Sequence, residues 1–172
     1  KKEANHKFII EPFDQTDNFW FSCSFARLES SSAIRTYAEI KADNEKAWPL
    51  FWNKTAAVDF SGSTDKRAAE LERRIILSQY LIKIQETCSS IPQETGLTYN
   101  SWYGKPHSEM PYWHLGHYPY WNQTALLEKT MQWYFTAKNK AKEIAKRQGF
   151  EGVRWPKMTD NTGDETPSSV GA

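Results

Sequence analysis

Three valines in 172 residues leave little material for a large β-sheet. Leu, Ile, Val and Phe together number only 31, so a core here must draw on helices and on aromatic rings. Scarce aliphatics can signal disorder, but a disordered chain also carries high net charge and few aromatics. This one carries 25 aromatics, eight of them Trp, and its 22 Lys and Arg stand against 21 Asp and Glu for a net charge of +1. That balance provides no basic stripe for a nucleic-acid backbone. No apolar stretch is long enough to span a membrane. Cys23 and Cys88 make no disulfide framework, and no CxxC pair suggests zinc. Trp and Tyr in such number serve surfaces as well as cores. Their faces stack on the C–H faces of sugars, or they anchor protein interfaces.

Along the chain, residues 1–30 read as extended. Phe8-Ile9-Ile10 forms one run, and residues 19–25 alternate aromatics at period two, with Pro12 and residues 14–18 as the turn between. From residue 31 the pattern turns helical. Ile34, Tyr37 and Ile40, then Trp48, Phe51 and Trp52, suggest one or two short helices, the second starting near Pro49. Thr64 or Asp65 is placed to cap a long helix running to about Cys88. Ala68, Leu71, Ile75 and Ile82 form its stripe, and Leu77, Leu81 and Ile84 widen it, which predicts packing on more than one side.

A long loop with Pro92, Gly96, Gly104 and Pro106 occupies residues 89–110, and loops of that length are usually functional. A short helix is expected over residues 111–121. One amphipathic helix follows over residues 124–147, with Leu126, Thr130, Trp133, Ala137, Ala141 and Ile144 on one face and Gly149 as its left-handed cap. The polar stretch from Lys157 reads as loop. Neither end reads as a finished terminus, so the chain is expected to be a piece of a longer protein.

Chemistry concentrates in two places. Residues 102–117 hold three of the four histidines, His107, His114 and His117, beside Glu109 and four aromatics. A metal reading rests on His114 and His117, which share a helix face, completed by His107 and Glu109. It lacks the HExxH spacing and any Cys or Asp cluster, so no metal or cofactor is expected. The stronger reading is an aromatic-walled polar cleft, with His107 and Glu109 bonding to ligand hydroxyls and Trp102 or Trp113 stacking. Residues 149–158 add Arg154, Trp155 and Lys157, followed by the turn-forming Asp160-Asn161 and Gly163-Asp164. Pro92-Gln93-Glu94-Thr95-Gly96-Leu97 is a third, weaker segment. No GxSxG elbow and no nucleotide glycine fingerprint occurs.

These segments, in order, resemble a known family. Glu70-Leu71-Glu72-Arg73-Arg74, Ser78-Gln79-Tyr80-Leu81, Pro92 to Leu97, Tyr103-Gly104-Lys105, His107-Ser108-Glu109-Met110, Trp113-His114, Arg147-Gln148-Gly149 and Gly152-Val153-Arg154-Trp155-Pro156-Lys157-Met158 are similar to the catalytic region of six-hairpin glycosidases. These are (α/α)6-barrel enzymes. A more distant similarity is to the maltose and kojibiose phosphorylases, whose Trp-Asp-Thr-Glu and Pro-Trp-Glu-Ser segments occupy comparable places. The resemblance spans about residues 45–170.

It implies a mainly α chain with the first hairpins of an incomplete (α/α)6 barrel over residues 61–172. Linker helices would cover residues 31–60, and residues 1–30 would be the remnant of a preceding β-sandwich. It also implies that His107, Glu109, Trp113, His114, Arg154, Trp155 and Lys157 line the sugar site. The parent would be a periplasmic or extracellular glycoside hydrolase using inverting acid and base carboxylates on later hairpins. A homodimer or a companion chain would complete the barrel. The alternative is a non-catalytic helical module that binds carbohydrate or protein.

Overall fold

The structure, a computed structural model, describes residues 2–12, 19–23, 34–97, 99 and 102–167. It is mainly helical, with five α-helices and one two-stranded hairpin among the described residues. The chain divides into two compact units, Lys1–Asn53 and Lys54–Ala172.

In the first unit, β1 (Lys2–Ala4) pairs antiparallel with β2 (Lys7–Phe8) around a turn in which His6 takes φ +62°. Every residue of both strands is exposed, so this hairpin encloses no core. The described part of the expected second strand, residues 19–23, forms no strand. Ser24, Phe25 and the turn expected at residues 14–18 lie outside the described residues.

Helix α1 (Tyr37–Lys54) is one 18-residue helix where the spacing suggested two. A reciprocal cap starts it: Glu39 N donates to Thr36 Oγ1 at 3.3 Å and Thr36 N donates to Glu39 Oε2 at 2.7 Å. Bonds donated by Thr36 N and Thr36 Oγ1 hold the Glu39 carboxyl below its ordinary range. Pro49 sits inside the helix and removes one rung of the ladder, that to the Glu45 carbonyl, without ending it. Aromatic pairing at helical spacing carries the helix across this gap. The Trp48 and Trp52 rings stack at 6.1 Å, and buried Phe51 meets Trp48 edge-on at 5.7 Å.

The second unit contains α2 (Ala68–Gln85), α3 (Met110–Leu115), α4 (Thr124–Thr136) and α5 (Lys138–Arg147), with 3-10 turns at Trp102–Gly104 and Tyr118–Trp121. Asp65 stands just ahead of α2, where its carboxylate accepts from Arg67 N at 2.8 Å. Thr130, Trp133, Ala137, Ala141, Ile144 and Ala145 are buried along α4 and α5, the stripe that the 3.6-residue period predicts.

The single long helix expected there is divided at Ala137, which takes φ −85° and ψ −1°. Thr136 Oγ1 donates to the Trp133 carbonyl at 2.8 Å, a local bond that competes with the helix ladder. Gly149 (φ +79°) closes α5, with Phe150 N donating back to the Ala145 carbonyl at 2.9 Å.

Ile91, Trp133 and Ala137 form a buried cluster, with Tyr134 and Trp155 packed on it. Helix α2 is buried much less than its stripe predicts. Gln79 is its one buried residue, while Ile76, Leu77, Tyr80, Leu81 and Ile84 remain exposed along one face.

Candidate functional site

The three segments singled out for chemistry converge in the second unit as a small layer of bridged loops. Gln93 pairs with Pro106, His107 with Met158, and Thr159 with Glu165, all antiparallel. Backbone bonds stitch them together. His107 N donates to Pro92 O at 3.2 Å, Ser108 N to Lys157 O at 2.9 Å, Thr159 N to Pro106 O at 3.1 Å, and Thr166 N to Met158 O at 3.1 Å. Irregular backbone can be buried only where its polar groups find partners, and these cross-bonds supply them.

Helix α4 supports the layer from beneath. Tyr134 hydroxyl donates to Ser108 O at 3.3 Å, and Trp133 Nε1 donates to Asn161 O at 3.0 Å. Trp155 packs against both rings, 5.8 Å from Trp133 and 4.9 Å from Tyr134. Its ring is thus half-buried in the support rather than laid open on the surface.

His107 is buried in the centre of the layer at 1% exposure. Its Nδ1 lies 2.9 Å from the Lys105 carbonyl, which can only accept, so Nδ1 carries the proton. Trp102 meets the imidazole edge-on at 6.3 Å, from a turn in which Trp102, Tyr103 and Gly104 all take positive φ. At the rim, Lys157 Nζ stands 3.4 Å from Glu109 Oε1, with both side chains about half exposed. A polar pocket of about 430 Å³ opens beside them, lined by Pro156, Lys157, Met158, Glu165, Thr166 and Pro167. The hydroxyls of Ser108, Thr159 and Thr166 are buried with no hydrogen-bond partner among the described residues. Unspent hydroxyls gathered in one place are unusual in a packed fold.

The other predicted residues take different places. His114, on α3, pairs with Glu86, Nδ1 to Oε2 at 3.3 Å, with both side chains largely buried. Trp113 and its neighbour Tyr112 are more than two-thirds exposed and meet edge-on at 5.1 Å. Arg154 lies over the Phe150 ring at 4.7 Å, and its backbone N donates to Ala141 O of α5 at 3.0 Å. His117 lines a separate groove. Among the described residues, no three His, Cys, Asp or Glu side chains gather as a metal site requires.

Glu86 went unread in the sequence. It follows α2, its backbone N donates to Ile82 O, and it carries no local mark of burial. The one available signal was Gly96, ten residues later. Gly96 takes φ +65°, and a Cβ there would sit 2.6 Å from Glu86 Oε1 and 2.8 Å from Gln85 Cβ. Only glycine lets the loop close over the carboxylate. Thr87 and Tyr118 extend the same cluster through a hydroxyl–hydroxyl bond of 2.5 Å. Burial raises the Tyr118 phenol above its ordinary range.

Compared with protein-family models, with curated sequences and with solved structures, the chain matches none.

Proposed function

We propose that the second unit forms the sugar-contacting wall of an (α/α)6-barrel glycoside hydrolase and comprises its first hairpins. The observation that carries this reading is the bridged layer, in which the residue 91–93, 105–109 and 157–159 segments meet beside a polar pocket. A polyhydroxylated ligand needs many donors and acceptors at one surface with apolar ring faces near them. Lys157 and Glu109, both half exposed, supply the first. Trp102, edge-on to His107 and partly exposed, supplies a ring face.

The uncovered apolar face of α2 supports a further helical layer, contributed by a second copy or by a companion chain. The catalytic acid and base would then come from that layer, about 6.5–9.5 Å apart if the enzyme inverts. A periplasmic or extracellular location belongs to the same proposal.

A non-catalytic carbohydrate-binding module is the second reading, favoured by one observation. Two carboxylates of the layer are held by cations: Glu109 by Lys157, and Glu165 by Arg147 at 3.1 Å. Affinity electrophoresis through gels containing a panel of neutral glycans tests binding, and product analysis after incubation with the retarding glycan separates the two readings. Retardation with release of sugars supports the hydrolase, and retardation alone supports the module. No retardation by any glycan removes both.

A further inference from the structure

A groove of about 510 Å³ lies in the second unit between α2 and the α3 segment, outside the bridged layer. Its size falls within the roughly 300–1,000 Å³ of small-molecule sites. Leu71, Ile75 and Ile82 supply an apolar wall from α2, and Trp113 and Trp121 line the groove from the later segment. Arg74 and Ser78 line it as well. They stand one helical turn apart, and at about 100° per residue they fall beside the apolar wall rather than within it. The groove therefore has a polar edge running along an apolar wall.

Arg74 is only partly engaged. Its Nε donates to Glu70 Oε1 at 2.8 Å, while Arg73 donates to both Glu70 oxygens, at 2.7 and 2.9 Å. Two arginines thus share one carboxylate, and the cluster carries one net positive charge. The terminal N–H groups of Arg74 have no partner among the described residues, and the side chain is 70% exposed. Ser78 is exposed too, and its hydroxyl has no partner among the described residues. A guanidinium with free N–H groups beside an apolar wall is the complement of a carboxylate on an apolar body. One excess charge matches a monoanion and leaves a dianion under-neutralised.

We propose that this groove binds a monocarboxylate with a compact apolar body. The body lies against the two tryptophans and the aliphatic wall of α2, and the carboxylate accepts from Arg74 and from the Ser78 hydroxyl at the edge. Besides these two, only Gln79 and His117 are polar among the lining residues. That is too few to replace the water around a pyranose, and enough for one charged group on an apolar body. The inference does not depend on the glycoside reading, because the bridged layer contributes no residue to this groove.

The test uses 2-naphthoate and 2-naphthamide, which share a ring system and a shape while only the first is charged. The indole N–H resonances of Trp113 and Trp121, in ¹H–¹⁵N spectra of the whole chain, read both the place and the affinity of binding. Naphthoate is expected to move both. Arg74→Met should weaken naphthoate roughly fivefold, the worth of a well-formed exposed ion pair, and leave naphthamide close to unchanged. Glu70→Gln, which releases both arginines, should tighten naphthoate by a similar factor and leave naphthamide unchanged. Should Arg74→Met fail to fold by circular dichroism, Glu70→Gln decides. Unmoved indole resonances, an equal response of the two probes to Arg74→Met, or no tightening of naphthoate in Glu70→Gln overturns the proposal. Indole resonances that move with protein concentration alone would put a second copy of the chain on the groove, and would overturn it as well.

Discussion

Glu86, just past the end of α2, and His114, on α3, stand 3.3 Å apart, Oε2 to Nδ1, with 6% and 14% of their side chains exposed. The contact is close, but its geometry is not that of a hydrogen bond, and both atoms lack any other partner among the described residues. The two helices are thereby joined through a polar pair in a place where water has little access. Removing one member leaves the other buried alone. Glu86→Ala is expected to cost about 1–3 kcal/mol in urea unfolding, below the ~3–5 kcal/mol of an ideally bonded pair. The double variant with His114→Phe should lose less than the sum of the two single changes. Additive losses would show that the pair is not coupled.

Gly96 and Gly149 both take positive φ but differ in surroundings. A Cβ at Gly96 meets Glu86 and Gln85 below 3.0 Å, whereas one at Gly149 meets nothing within 4 Å. Gly149→Ala should therefore lose only the left-handed penalty, roughly 1–2 kcal/mol. Gly96→Ala adds a clash and should lose clearly more. Urea midpoints of the two variants, compared at equal slope, decide this ranking.

Trp133 joins the helical core to the loop layer. It is 4% exposed, packs with Ile91, Ala137 and Trp155, and donates to Asn161 O. Trp133→Ala is expected to cost ~3–5 kcal/mol. Trp133→Phe should cost less while still losing the indole bond, worth about 1 kcal/mol. Thermal unfolding of both variants checks the order.

Acid sensitivity should have two separable parts. Burial lowers the His117 imidazole from 6.5, so the fold takes up fewer protons there than the unfolded chain. Its contribution is present above about pH 6.5 and is lost as pH falls through the lowered value. Glu70 is held down to about 2 by bonds from Arg73 and Arg74. Its contribution is intact above the ordinary 4.5 and is lost between there and about 2. Stability measured against pH should lose its first step in His117→Phe. Glu70→Gln should remove the second, which salt weakens because the group is exposed.

Lys157 separates stability from function. Its pair with Glu109 is half exposed, so Lys157→Ala should change unfolding free energy by no more than about 1 kcal/mol. The same change should weaken glycan retardation several-fold if the bridged layer contacts sugar. Unchanged retardation would count against the site.

By itself, the sequence determined what depends on near neighbours. The Thr130, Trp133, Ala137, Ala141 and Ile144 stripe, the glycine end at Gly149 and the helical character of residues 37–54 follow from spacings of three and four residues and from one residue's freedom to take positive φ. The segments rich in His, Trp and Pro were legible as candidates because loop chemistry stands out from periodic surroundings. Their meeting was not legible. The His107–Met158 bridge spans about 50 residues, and the Glu86–His114 pair joins two elements whose spacing obeys no local period.

Helix α2 shows the reverse failure. Its apolar stripe predicted packing on more than one side, yet the Ile76, Tyr80 and Ile84 face lies open. Periodicity states which face seeks cover, but not what covers it. Only the tertiary structure decided which carboxylate was buried, which tryptophan served as support and which stood exposed. Burial is a sum over distant neighbours, and no window along the chain contains it.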